Sequence, residues 1–419
     1  MNQESSTHFR WVIVDLFFCI TIINYVDRSS IAYAIDNIAQ EFHLSHNQCG
    51  FILGSFGIGY FFTTFFGGLA ADRYGAHKTL TFATILWGIS TLLTGLAASF
   101  SIILMTRILL GLAEGPSFPC LAKANSEWLP ETERNRALSA SLIAVPLALA
   151  FGGFISTHLI QWFNWRGMYF ILTAFTFIWV IIWWLMFRDK PEYSTHVHPQ
   201  ELKHIQHTRS TTNHSKITHT AHPWRFLLSH KTLISNNWAF FVFGFYLFFF
   251  MTWLPEYLHQ TYHFELIKIG MYSMIPWLTA ALFMWLMGTF SDWIFKKTQN
   301  LRWSRSYPIM ASQLLSGLCI IPLTRVTSPE SCIFFISLAV GCVMSANAPF
   351  YAVNVDIAKE RVGTALGIMD AVAAIAGFLA PTLTGLIISW TGDFIMVFWL
   401  MALLSLSSVF IMAIWHNRH

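Results

Sequence analysis

The chain has 419 residues, 55% of them hydrophobic and only 11% charged, with 39 Phe and 18 Trp. A soluble domain carries about a quarter charged residues, so a water-soluble fold is excluded. The net charge of +4 is scattered over short connections and builds no basic domain, which excludes nucleic acid as a partner.

The polar start, residues 1–10, runs into an apolar stretch over 11–33. This stretch continues past signal-peptide length, contains Asp27 and Arg28, and is followed by no small-residue cleavage site, so it is expected to be retained as a helix. Further apolar runs follow at 48–71, 79–98, 100–123, 137–160, 165–187, 234–258, 267–291, 306–324, 331–353, 361–388 and 392–415. Each is close to the roughly 20 helical residues that cross a bilayer core. The expected fold is an all-α membrane protein of twelve transmembrane helices in two six-helix bundles, 1–187 and 233–419, joined by a linker loop at 188–232.

Of the 25 Lys and Arg, 20 fall at the termini and in the connections after even-numbered spans, and only Arg166, Lys268 and Arg325 fall on the other side. The positive-inside rule then puts both termini and the linker in the cytoplasm. The linker holds eight of the 17 His (196, 198, 204, 207, 214, 219, 222, 230) at irregular spacing without Cys or acidic co-ligands, and reads as a solvated segment. The six Cys (19, 49, 120, 319, 332, 342) lie in or beside apolar stretches with no C-x-x-C spacing and read as packing residues, so no metal is expected. The halves echo each other. Gly68-Leu-Ala-Ala-Asp72 recurs as Gly288-Thr-Phe-Ser-Asp292, and Glu133-Arg134 as Glu360-Arg361. Such repeats place a substrate site at the midplane between bundles.

An ionised side chain at mid-bilayer costs about 2.5–3.5 kcal/mol on insertion scales, so Asp27, Arg28, Arg107, Glu114 and Asp370 need a partner or a function. Asp15 is close enough to its helix start to reach the interface. Arg107 and Glu114 stand two turns apart on one face with Gly111 leaving room between them, and Asn24, Asp27 and Arg28 fall within one turn of the first span. Two guanidiniums suit fork-like recognition of a carboxylate or phosphate, and the two carboxylates beside them suit proton binding and release. The plainer alternative is a pair of structural ion pairs, Asp27 with Arg107 and Arg28 with Glu114. Tyr60, Ser345, Asn347 and Asn237 are further candidates for substrate contact, each weighed against packing or helix-to-helix bonding. Asp370 is a lone acid among Ala, Gly and Ile, read as a third protonatable site, a substrate contact or a cavity-lining group.

Gly68-x-x-x-Asp72-Arg73-x-Gly75-x-x-Lys78 resembles the signature loop of the major facilitator superfamily, with Ala76-His77 in place of the usual basic residues. Five further runs resemble its anion:cation symporter family: Asn24-Tyr-Val-Asp27-Arg28, Arg107 through Pro119, Trp128 through Arg134, Trp253-Leu-Pro255-Glu-Tyr257, and Gly363 through Gly367 with Gly377 through Pro381. Members include hexuronate, aldonate and aldarate transporters of bacteria and sialic acid and glutamate carriers of animals. The resemblance implies proton-driven uptake of a small organic anion, most plainly a sugar acid, by alternating access in a bacterial inner membrane. It implies substrate contact at Arg28, Arg107 and Tyr60, proton carriage at Asp27 and Glu114, and gating at Asp72 and Arg73. Two departures change the pocket: Ala144-Val145-Pro146-Leu147 is apolar where the family is Gly-rich with a polar residue, and Asp370 stands where Asn is usual.

The expected partners are the anion, protons and the lipid bilayer, with the protein as a monomer and no cofactor beyond the proton gradient. No Gly-x-x-x-x-Gly-Lys-[Ser/Thr], His-Glu-x-x-His or Gly-x-Ser-x-Gly motif is present, so neither ATP hydrolysis nor an enzyme is expected. Rival readings are a proton-coupled exporter of an organic anion or drug, and a receptor that binds solute without accumulating it.

Overall fold

In the computed structural model the described residues are 8–209, 223–358 and 361–415, and among them every regular element is helical. His214, His219 and His222 of the linker, and Glu360 of the second Glu-Arg pair, lie outside this set. The first three passes are α1 (Phe9–Phe42), α2 (His46–Tyr74) and α3 (Ala76–Gly95). The fourth is divided at Gly115-Pro116 into α4 (Phe100–Glu114) and α5 (Ser117–Trp128).

α6 (Glu131–Met186) is one run of 56 residues. At 1.5 Å per residue it would be roughly 80 Å long, more than twice a bilayer core of about 30 Å. Asn164, at φ 57°, breaks it into a fifth and a sixth pass. Asparagine tolerates the left-handed region, and its Oδ1 accepts the backbone N–H of Arg166 (2.9 Å) and Gly167 (3.1 Å), capping the second arm.

The linker contributes α7 (Pro199–Arg209) and α8 (Pro223–Ser229). The second half follows as α9 (Lys231–Tyr262), α10 (Leu266–Thr298), α11 (Tyr307–Ile320), α12 (Pro329–Ser345), α13 (Asn347–Ala358), α14 (Val362–Thr391) and α15 (Ile395–Trp415). The α12/α13 break at Ala346 repeats the α4/α5 break of the first half. Nine helical stretches among the described residues are long and apolar enough to cross a membrane, and α2 with its 46° bend makes a tenth. With the second arm of α6 and the shorter α3, the described helices are consistent with the twelve passes expected. Phe82, Met105 and Trp390 are at least 70% exposed, which identifies lipid as the solvent of these helix faces.

α2 carries two glycine faces. On one, a Cβ at Gly54 would lie 2.7 Å from the Phe378 carbonyl of α14 and a Cβ at Gly57 2.5 Å from the Phe378 nitrogen. Gly50 meets Gly385 of α14 in the same way. On the other, a Cβ at Gly59 would lie 2.0 Å from the Ile108 carbonyl of α4, and one at Gly111 would lie 2.1 Å from the Phe56 carbonyl of α2. Gly111 therefore makes room for the α2 backbone, not for the side chains of Arg107 and Glu114. In a membrane, where apolar burial does not drive association, such backbone approach is a principal source of helix affinity.

The α2/α14 seal, and a second where Gly270 of α10 meets Gly153 and Thr157 of α6, both lie on the face opposite the termini, here called the far face. Toward the terminal face, Gly288 of α10 and Gly363 and Gly367 of α14 have no atom of the described residues within 4 Å of a built Cβ. The two halves of the chain are thus closed together backbone to backbone on the far face, and these glycines show no such closure toward the terminal face.

Part of the linker is docked, which corrects the expectation of a solvated segment. Glu201 of α7 accepts the backbone N–H groups of Phe9 (3.2 Å) and Arg10 (3.0 Å), at the positive end of α1. The Arg10 guanidinium joins Glu201 (3.1 Å) to Glu133 (2.8 Å) at the start of α6, and His196 stacks on Phe9. The Arg10 hydrogen bonds hold the Glu133 carboxyl below its ordinary range. A depressed folded-state pKa stabilises above the unfolded value of about 4.3 and ceases to do so as pH falls through the folded value. Acidification from about pH 5 to 3 is therefore expected to loosen α7, read as faster amide exchange over residues 199–206, with no change near neutral pH.

Candidate functional site

A cavity lies between the halves, with its walls drawn from α1, α2, α5, α6, α9, α12, α13 and α14. Of the substrate and proton candidates, Arg28, Tyr60, Asn347 and Asp370 line it. Arg28 is its cation. The guanidinium is 3% exposed and packs over the rings of Tyr25 (4.5 Å), Phe56 (4.4 Å) and Tyr60 (4.9 Å), a setting that suits a planar, weakly hydrated cation. Glu114 holds it from behind, receiving Nη2 at 2.8 Å and Nε at 3.1 Å on one carboxylate oxygen, and Asn24 Oδ1 accepts a third bond at 3.0 Å. The other Glu114 oxygen has no hydrogen-bond partner among the described residues.

On the α13/α14 side, Tyr351 donates to Asp370 at 3.4 Å. Asn347 sits at the first position of α13, and its buried Oδ1 accepts no hydrogen bond among the described residues. Phe240, Phe243 and Phe248 of α9, with Leu142 and Val145 of α6, make the remaining wall apolar.

The other candidates are placed elsewhere. The Asp27 carboxylate turns away from the cavity, accepting the indole N–H of Trp87 (2.5 Å) on α3 and the Thr176 hydroxyl (3.3 Å) on α6. Arg107 donates to the Arg28 carbonyl (3.1 Å), so of the two ion pairs in the alternative reading Asp27–Arg107 does not form, whereas Arg28–Glu114 does. Ser345 lines a separate outer groove with Phe283, Phe290 and Trp293, and its hydroxyl returns to the Cys342 carbonyl. Asn236, one residue before the Asn237 candidate, bonds α9 to the Phe350 carbonyl of α13.

At the terminal face, Asp72 pairs with Lys123 of α5 (3.2 Å), and Arg73 lies 5.3 Å over Tyr74. The second half repeats the arrangement with Asp292 and Arg305 (3.2 Å), which also reaches Asp356 (3.6 Å). Asp72 is largely exposed, and exposed pairs contribute little stability. Asp72→Asn is therefore expected to move Tm by no more than about 2 °C in detergent.

Tyr25 and Tyr351, absent from the sequence candidates, are the two phenols that complete the polar lining. Helical spacing marks both, since Tyr25 precedes Arg28 by three positions and Tyr351 follows Asn347 by four.

The family model for the Major Facilitator Superfamily matches residues 17–302. The chain belongs to the major facilitator superfamily. It is 30% identical over 385 residues to a hexuronate transporter of Bacillus subtilis, covering 91% of this chain and 89% of that protein. It is 29% identical over 415 residues to a probable sulfoacetate transporter of Cupriavidus necator, covering 98% and 95%. A solved structure of a bacterial homologue of the human lysosomal transporter Spinster superposes with TM-score 0.75 at 17% identity, covering 98% of this chain and 96% of that one, which shows the fold. The chain is an integral membrane transporter, not an enzyme.

Proposed function

We propose that this transporter takes up a small organic anion, most plainly a sugar acid, together with protons, by alternating access in a bacterial inner membrane with both termini cytoplasmic. The observation that carries the reading is the Arg28–Glu114 pair, whose guanidinium lines the cavity while its carboxylate lies behind. An incoming carboxylate that takes the Arg28 fork displaces Glu114. Left ionised and unpaired in the membrane interior, Glu114 would be strongly unfavourable, and a proton removes that charge. Anion and proton therefore enter together. The Asn347 side-chain amide supplies a further donor to the anion, and Tyr25, Tyr60 and Tyr351 bring phenols to the same cavity for the hydroxyls of a polyol acid.

The relatives support the anion class through what each is named to carry, hexuronate and sulfoacetate. With the termini cytoplasmic, closure on the far face is the inward-facing state. Asp27 and Asp370 are the remaining proton candidates, and Arg107 acts by holding the α1 backbone at Arg28. Asp72 and Arg73 serve as gate residues at the terminal face.

The test is uptake of labelled glucuronate, galactonate and glucarate into proteoliposomes with and without an inward proton gradient. Accumulation of at least one acid, at least tenfold above the level without the gradient, is expected. Equal levels in both conditions would show a carrier that is not proton-driven, and entry of none of the three would remove the sugar-acid assignment.

A further inference from the structure

On the far face a second cluster of ionisable groups joins the two halves. Asp36 near the end of α1, and Glu256 and His259 near the end of α9, each bring a ligand atom to within 4.8 Å of the others. Glu256 and His259 are three residues apart and so share a helix face. His259 Nδ1 meets Asp36 Oδ2 at 3.1 Å, and both side chains are part-exposed, at 47% and 35%. Glu256 is only 7% exposed. One of its oxygens accepts from Gln260, while Oε2 meets no donor among the described residues, its carboxyl facing that of Asp36. Two carboxyls that meet in a buried place are unfavourable unless a proton or a metal ion lies between them.

We propose that Asp36, Glu256 and His259 form a binding site for a divalent transition metal of the zinc class that bridges α1 and α9. One imidazole and two carboxylates are a three-ligand set that leaves the fourth tetrahedral position to water, which the exposed edges of Asp36 and His259 admit. The imidazole favours zinc over magnesium and calcium, whose ligands are oxygens. Because the set is divided between the two halves, it is complete only while the far face is closed. A bound ion stabilises that closed arrangement over any in which α1 and α9 separate. Excess zinc on the far side therefore arrests the cycle. The arrest rests on the alternating-access reading, and the binding does not.

The test is calorimetric titration of the purified full-length protein with Zn²⁺, comparing wild type, His259→Gln and Asp36→His, with Mg²⁺ as control. The linker histidines are common to all three proteins. Wild type is expected to show a Zn²⁺ site that Mg²⁺ does not fill, weakened at least tenfold by His259→Gln and tightened at least tenfold by Asp36→His. That gain is one a misfolded variant cannot imitate. Identical Zn²⁺ isotherms for the three proteins, the outcome if the linker histidines alone bind, overturn the site. A second arm uses Cys49, 6% exposed on α2 beside Gly50 of the seal. Zn²⁺ is expected to slow its alkylation by an impermeant maleimide at least tenfold in wild type and not in His259→Gln. Zn²⁺ binding without that slowing overturns the clamp while leaving the transport reading intact.

Discussion

Arg28→Met is expected to abolish anion uptake and to destabilise the protein by about 3–5 kcal/mol, the magnitude typical of breaking one side of a buried ion pair. The reason is Glu114, which loses both of its Arg28 hydrogen bonds and has no exposed surface through which to regain water. Adding Glu114→Gln removes the stranded charge, so the double variant is expected to recover most of the stability and none of the uptake. Thermal unfolding in detergent, read beside uptake in proteoliposomes, separates the two effects. If the double variant transported, Arg28 would be a packing residue and the anion would bind elsewhere. Arg28→Lys is a sharper probe, since it keeps the charge and loses the planar fork that stacks on Tyr25, Phe56 and Tyr60. It is expected to fold and to transport at least tenfold more slowly.

The second large effect is a contrast between two glycines of one helix. Gly59→Leu is expected to reduce the yield of folded protein at least tenfold, because its Cβ would sit 2.0 Å from the Ile108 carbonyl and α2 and α4 have no way to part within one half. Gly54→Leu, five residues earlier, strikes the Phe378 carbonyl and the Thr382 hydroxyl across the seal with α14. These two halves can separate, and overpacking of about 1–3 kcal/mol shifts a conformational equilibrium about fivefold to 150-fold. Gly54→Leu is therefore expected to fold normally and to open the far face, read as at least fivefold faster alkylation of Cys49 by an impermeant maleimide. Unfolding of both variants, or of neither, would show that the two glycine faces are not distinct.

Part of the site is legible in the amino-acid sequence because lipid makes charge conspicuous. Arg28, Glu114 and Asp370 stand out on that ground, and the structure places Arg28 and Asp370 on the cavity with Glu114 directly behind. Hydropathy marks the passes for the same reason, and it divides α6 correctly although the helix runs on without a polar loop at Asn164. What is not legible concerns rotation about helix axes. Asp27 and Arg28 are neighbours in sequence, hence about 100° apart around α1, and they cannot both face one cavity; Asp27 goes to Trp87 and Thr176. Ser345 and Asn347 lie on either side of the α12/α13 break, so one faces the outer groove and the other the cavity. The glycines of α2 read as an apolar span, since nothing in spacing alone tells which face meets α4 and which meets α14. The docking of Glu201 on the start of α1 is hidden because a polar linker carries no periodicity to announce a partner 191 residues away.

Coupling through the Arg28–Glu114 pair is tested most directly by comparing anion exchange with proton-driven accumulation in Glu114→Gln. In this variant Arg28 is released from its carboxylate partner, and the group proposed to take the proton is gone. Counterflow of labelled anion against unlabelled anion inside proteoliposomes is predicted to persist, while accumulation under an inward proton gradient falls to the level seen without one. Accumulation by Glu114→Gln at the wild-type level would contradict the account and move the proton to Asp27 or Asp370.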